Sequence, residues 1–246
     1  MKFITLTETG STNAYVRELA DQGEIGPLWV RADQQSAGLG RRGREWVSPA
    51  GNLYASGLYP IIGKAADAAL MSFAAALALA DTLEHYVSRD LVSLKWPNDV
   101  LLASKKTAGI LLEAGKGFFI VGIGLNLLHH PADTIFPATH ILEYISDDKL
   151  DGPEPIMTGP QAVLAVLASR FDYWRDIYLT YGFEPVRTAW LARAHNVPGP
   201  VNVQLPKESF SGEAIGLSEN GALRLRLSNG TIREIHAGDV FFGPKD

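Results

Sequence analysis

The sequence predicts an α+β protein: a mixed sheet flanked by helices, followed by a small C-terminal β-barrel. Two observations carry this. From the amino terminus, apolar runs and helical periodicities follow one another as strand, helix, strands, helix, mixed strands, helices, which is not a strict βαβ alternation. From Val201 onward helical periodicity stops. GALRLRL alternates apolar and charged positions, and Asn220-Gly221 and Asn229-Gly230 stand between short strand-like runs, Asn-Gly being the strongest short-range hairpin signal. The change of texture at VPGPVNV divides the chain into residues 1–197 and residues 198–246.

The elements follow in order. FITL reads as an opening strand, and STNAYVRELA as a short helix with Ser11 or Thr12 as N-cap and Tyr15, Val16 and Leu19 at helical spacing. A strand is expected near Leu28 to Ala32. Ala66 to Val87 reads as a long helix, with Leu70, Phe73, Leu77 and Ala80 along one face. LVSL, TAGILLEA and FFIVGIGLNL are apolar, partly β-branched runs bounded by Gly or Pro, hence strands of a covered sheet, the last two joined by a turn at Gly115 to Gly117. Thr158 to Gly182 keeps Val163, Leu164, Leu167, Phe171, Trp174 and Tyr178 in helical register. A further helix opens at Pro185, where a missing N–H costs nothing, and is expected to end near His195.

Bulk properties exclude several classes. A net charge of −5 argues against a surface built throughout for nucleic acid, whose affinity comes from neutralising phosphates. The absence of cysteine removes disulfides and thiolate metal sites and fits a reducing compartment. MKFITLTETG has no apolar signal core, so a cytoplasmic location is expected. The apolar run Ala68 to Ala80 falls short of the ~20 residues that span a bilayer, so no membrane association is expected. The six histidines show no paired ligand spacing on a helix, and His129-His130 reads as surface loop; no metal held by protein ligands alone is expected.

GLGRRG, Gly38 to Gly43, spells G-x-G-x-x-G, but a dinucleotide site needs a helix next and an acidic residue about 20 positions on. REWVSPAGNLY follows instead, with Trp, Pro and Gly where a helix would begin. Arg41, Arg42 and Arg44 are then either solvated charges or the cations of an anion-binding loop, for which the planar guanidinium suits phosphate.

Five stretches combine in order: GSTN (Gly10 to Asn13), QSAGLGRRGREW (Gln35 to Trp46), LKWPNDVLL (Leu94 to Leu102), KKTAGILLE (Lys105 to Glu113) and VGIGLN (Val121 to Asn126). With them the chain resembles biotin protein ligases over nearly its whole length. The resemblance implies a catalytic domain like those of class II aminoacyl-tRNA synthetases and an SH3-like C-terminal barrel. It implies activation of biotin by ATP to biotinyl-5'-AMP and pyrophosphate, with Mg²⁺ carried on the ATP phosphates. Transfer to one lysine of a biotin carboxyl carrier protein, such as the acetyl-CoA carboxylase subunit, would follow. STN stands ten residues in, so the ligase-only type without an N-terminal DNA-binding domain is expected, with no DNA as partner; homodimerisation through a sheet edge stays open. Two alternatives remain: a lipoate or octanoyl acyl ligase or transferase, and a non-catalytic biotinyl-adenylate-binding regulator.

By the same resemblance, Lys106, Arg41, Arg42 and Asp99 are the catalytic candidates. Biotin would be held by Ser11, Thr12, Asn13, Gln35, Gly38, Leu39, Gly40, Arg41, Lys106 and Gly109. The adenylate would be held by Arg41, Arg42, Arg44, Trp46, Asn98, Lys106, Gly124 and Asn126, with Gly122 and Gly124 permitting close approach. A buried ureido group needs paired donors and acceptors, which Ser, Thr, Asn and Gln supply. Cations must offset the repulsion between a carboxylate and a triphosphate. Asp99 can equally be read as a turn residue after Pro97-Asn98. Leu39 departs from the family, where many members have arginine, so contacts at that position are expected to run through the backbone.

Overall fold

In the computed structural model residues 1–63, 65–132, 134, 136–145 and 159–242 are described. Seven strands form the main sheet: β1 (Lys2–Thr9), β2 (Leu28–Gln35), β3 (Leu53–Pro60), β4 (Val92–Lys95), β5 (Asp99–Leu102), β6 (Lys105–Ala114) and β7 (Phe118–Leu125), in the order β1-β2-β3-β7-β6-β5-β4. Only β1 and β2 run parallel, joined over one face by helix α1 (Thr12–Asp21). The other pairs are antiparallel, so the sheet is mixed as expected.

The opposite face is covered by α2 (Met71–Glu84) and α3 (Pro160–Tyr181). Runs of alanine let α2 bury almost its whole circumference, a pattern that hides amphipathic periodicity. Between α3 and the sheet, Trp29 donates to the Tyr59 hydroxyl at 2.9 Å, which donates to Asp172 at 2.9 Å, and Phe171 packs edge-on against both rings. A smaller cluster of Val16, Leu28, Val30, Leu58 and Ile120 lies under α1.

Several boundaries differ from expectation. The helix expected from Ala66 begins as a 3-10 segment, Ala65–Leu70, before α2. The start of α3 lies near the expected Thr158, which falls outside the described residues. Helix α4 (Phe183–Leu191) stops short of His195, because the Leu94 amide donates to the Arg193 carbonyl and the His195 amide to the Leu94 carbonyl, tying residues 193–195 to β4. Strands β3 and β5 were not anticipated. The first is buried along nearly its whole length and so shows no alternation; the second has only four residues, directly after a turn.

The C-terminal strands β8 (Gly199–Gln204), β9 (Ser209–Leu217), β10 (Leu223–Arg226), β11 (Ile232–Ile235) and β12 (Asp239–Phe242) form an antiparallel sheet ordered β11-β10-β9-β8-β12. β11 and β12 are its two edges, so among the described residues the expected barrel is not closed. Both Asn-Gly pairs do turn hairpins, but only Gly221 and Gly230 take positive φ. This sheet packs into the main core through Val201, Val203, Leu217, Leu223 and Val240, and the Trp96 indole donates to the Gly221 carbonyl at 3.0 Å.

Candidate active site

The ends of β1 and β2, the loop after β2, and strands β6 and β7 enclose a cavity of about 390 Å³. Its wall takes in Ser11, Thr12, Asn13, Gln35, Leu39, Gly40, Arg41, Arg44, Trp46, Asn98, Lys106, Gly109, Gly124 and Asn126. Gly38, Arg42 and Asp99 are the sequence-predicted residues not on that wall.

One end of the cavity is neutral and polar. Ser11 holds the extended conformation of an N-cap, but its hydroxyl makes no capping bond, so it faces the cavity rather than the helix. The Thr12 amide and hydroxyl donate to Gln35 Oε1 at 2.8 and 3.1 Å, and Gln35 Nε2 donates to Ser48 Oγ at 3.0 Å. The Ser56 hydroxyl lies 2.8 Å from Thr12 Oγ1 and donates to Asn13 Oδ1 at 2.6 Å. Asn13 Nδ2 donates to Glu113 Oε1 at 3.2 Å, and Arg17 pairs with Glu113 Oε2 at 2.7 Å. Donors and acceptors are thus fixed in orientation before any ligand arrives, which lowers the ordering cost of binding. Ser48, Ser56, Glu113 and Arg17 were missed from sequence; the available signal was a serine at an inward position of the apolar run YASGLY.

The other end is cationic. The loop 38–46 is a tight hairpin, closed by Trp46 N–H to Gly38 C=O at 2.9 Å and Gly40 N–H to Arg44 C=O at 2.7 Å. Arg42 turns into the left-handed region, φ 58°, at its tip. Arg41 points inward and donates to Asn98 Oδ1 at 3.2 Å, while Asn98 Nδ2 donates to the Ile110 carbonyl at 2.7 Å. Burial lowers the Arg41 pKa, with repulsion from Arg42 adding to it. Arg42 and Arg44 instead share the two oxygens of Asp239 on β12, at 3.0 and 3.1 Å, so Arg42 tethers the loop and Arg44 both tethers it and borders the cavity.

Lys106 is set by an irregularity in the β5–β6 pairing. Val100 faces Ala108 but Leu101 faces Lys106, so the register slips at Thr107. There the Lys106 amide donates to the Pro137 carbonyl and the Thr139 amide to the Lys106 carbonyl, bringing segment 136–139 to the cavity. The ammonium sits 2.7 Å from Asp99 Oδ1 and 5.3 Å from the Trp46 ring. Asp99 also faces Lys95 Nζ at 3.7 Å. Its carboxylate is therefore engaged by two lysines at the first residue of β5, where a turn role had been one reading. Lys95 is buried against the Phe136 ring, 3.1 Å from its centroid; burial pulls its pKa down to about 8, against the opposing pull of Asp99. Asn126 Nδ2 donates to the Thr139 carbonyl at 3.0 Å.

The floor is glycine. Gly109 and Gly124 are cross-strand partners, and the Trp46 indole lies across both; a Cβ at Gly124 would stand 2.3 Å from Trp46 Cε2. A Cβ at Gly122 would stand 2.2 Å from Asn13 Oδ1. In this arrangement the glycines admit an indole and an amide. The buried Trp46 Nε1–H has no hydrogen-bond partner among the described residues, a deficit of ~1–3 kcal/mol.

The chain matches the model of the biotin/lipoate A/B protein ligase family over residues 2–127 and that of the biotin protein ligase C-terminal domain over residues 200–243. It is 41% identical to a biotin–[acetyl-CoA-carboxylase] ligase of Paracoccus denitrificans, covering 97% of this chain and 99% of the relative. It is 31% identical to the bifunctional ligase/repressor BirA of Bacillus subtilis, covering 95% of this chain and 71% of the relative. Among solved structures it is similar to the biotin protein ligase of Aquifex aeolicus in complex with biotin and ATP: 26% identity, TM-score 0.76, 98% of this chain and 97% of that one.

Proposed function

The chain belongs to the biotin/lipoate A/B protein ligase family, and from that premise we propose how its cavity performs the reaction of a biotin protein ligase. The enzyme activates biotin with ATP and passes the biotinyl group to a carrier protein. The match at both ends of the chain, including the C-terminal domain model specific to biotin ligases, favours biotin over lipoate. One observation carries the division of labour: a single cavity joins a neutral polar end at Ser11, Thr12, Asn13 and Gln35 to a cationic end at Arg41, Arg44 and Lys106.

The ureido end of biotin would take the polar end, where amide and hydroxyl groups match its donors and acceptors. Its carboxylate then points toward Lys106. In the first step a carboxylate oxygen forms a bond to the α-phosphorus and the bond to the pyrophosphate leaving group breaks. Lys106 and Arg41 would offset the charge that accumulates on the phosphoryl oxygens. Asp99 and Lys95 act behind Lys106, orienting its ammonium. Mg²⁺ would travel with the ATP phosphates; Asp99, the carboxylate beside Lys106, is committed to two lysines, which fits a metal held by substrate rather than by that residue. Gly38, Leu39 and Gly40 would contribute backbone groups to biotin, since the Leu39 side chain offers no polar contact. Trp46 would cover the adenylate, whose acceptors can satisfy the indole N–H, and Asn98 and Asn126 would border the nucleotide.

In the second step the lysine amine of the carrier attacks the acyl carbon and AMP departs. A biotin carboxyl carrier protein of acetyl-CoA carboxylase is the partner this reading favours, in a cytoplasmic setting. Residues 1–197 would carry catalysis, and residues 198–246 would hold the loop 38–46 through Asp239. The test is pyrophosphate release from Mg-ATP with biotin or lipoate as the acid. Release with biotin alone is expected; release with lipoate alone would move the chain to lipoyl chemistry.

A further inference from the structure

Beyond the cavity wall stands a group of metal-ligating side chains that the ligase chemistry does not use. His130 follows β7, His140 precedes a short 3-10 turn, and Glu143 lies within that turn, Ile141–Tyr144. His130 Nδ1 and His140 Nδ1 are 2.8 Å apart; Glu143 Oε1 is 3.4 Å from His140 Nδ1 and 3.8 Å from His130 Nδ1. A tetrahedral Zn²⁺ with bonds of ~2.0–2.2 Å separates its ligand atoms by about 3.3 Å. The triangle straddles that spacing, and small rotations of the two rings would equalise its sides.

The surroundings favour ligation. Glu143 Oε2 accepts from the Thr139 hydroxyl at 2.8 Å, which orients the carboxylate and leaves Oε1 toward the histidines. The frame is prepared as well. Asn52 Oδ1 accepts the amides of Leu127, Leu128 and His129, and the Ile141 and Leu142 amides return to the Asn126 and Leu127 carbonyls. Both ends of the loop are thereby pinned beside β7.

We propose that His130, His140 and Glu143 form a binding site for a zinc-class divalent cation, with solvent completing the coordination, and that the ion clamps the segment that walls the cavity. Two imidazoles and one carboxylate suit Zn²⁺, Co²⁺ or Ni²⁺ over Mg²⁺, which prefers an all-oxygen set, so the site is distinct from any ATP-borne Mg²⁺. Bound metal joins residues on either side of Pro131, Phe136 and Ala138, all on the cavity wall.

The experiment is titration of the purified full chain with Co²⁺ and with Zn²⁺ in saturating Mg²⁺, read by visible Co²⁺ absorption, calorimetry and the thermal midpoint. Wild type is expected to take up one ion per chain, to show the absorption of a low-coordinate Co²⁺ centre, and to melt higher with Zn²⁺. His140→Ala and the near-isosteric Glu143→Gln should each weaken binding by ~10- to 100-fold or more, while melting like wild type in chelator. Absence of stoichiometric binding to wild type, or affinity in both variants equal to that of wild type, would overturn the proposal. His130→Asn provides a third variant should His140→Ala not fold.

Discussion

Lys106 reaches the cavity with its charge already shared with Asp99 at 2.7 Å, which fixes the ammonium at the cost of part of its field. In the proposed mechanism it is a charge partner of the transition state, so Lys106→Ala should slow adenylate formation by ~10²-fold or more, measured as pyrophosphate release. Lys95 behaves differently. Its folded pKa of about 8 lies below the usual lysine value of 10.5 because burial penalises the charge. Between those values the unfolded chain keeps the proton and the folded chain has lost it, so stability rises with pH across that window. Relative to Lys95→Met, wild type should gain thermal stability as pH is raised from about 8 toward 10.5; an unchanged difference would show that Lys95 titrates normally. The K-x-A-G pattern made Lys106 legible from sequence. The Asp99 bridge to two lysines was not, because it depends on strand β5 bringing residue 99 beside residue 106, and a four-residue strand leaves almost no periodic trace.

At the scale of elements, the paired glycines of β6 and β7 decide what can lie on the sheet. Gly122→Ala would drive Asn13 from its place between Ser56 and Glu113, and one buried hydrogen bond of ~1–3 kcal/mol corresponds to roughly 5- to 150-fold in biotin affinity. Calorimetry on the variant checks this, with Gly117→Ala, in the open β6–β7 turn, as a control for general destabilisation. The loop 38–46 is restrained from outside the main sheet by Arg42 and Arg44 on Asp239. These pairs are half exposed and individually weak, so Asp239→Asn should speed loss of adenylate to solvent by only about 2- to 5-fold. Arg41→Ala, which removes an inward cation, should have the larger effect. The loop's composition announced an anion site, since no helix follows Gly43. Its separation into one inward arginine and two that reach Asp239 could not be read, because Asp239 stands almost 200 residues away in sequence. Strand β3 and its Ser56 were hidden for the opposite reason: a strand buried along its length has no polar face to mark its period.

Over the whole molecule, the main sheet, the start of α1 and the loop 38–46 build a cavity whose halves ask for different chemistry. The fold class was legible because helical and alternating patterns occupy separate stretches of the chain. The small all-antiparallel C-terminal domain was borne out, although among the described residues β11 and β12 remain edges and its barrel is not closed. That sheet nonetheless bears on the site, because Asp239 on β12 holds the loop over the cavity. Trp46 reports on the assembly: its unpartnered indole N–H predicts a change in tryptophan fluorescence when biotin and Mg-ATP are added, and the change should vanish in Trp46→Phe. On the proposed mechanism, one cavity both activates biotin and delivers it. The most direct measurement is the intact mass of a biotin carboxyl carrier domain after incubation with the enzyme, biotin and Mg-ATP. One biotinyl group on one carrier lysine is expected, lost in Lys106→Ala; adenylate formed and held with no increase in carrier mass would rule out delivery from this cavity.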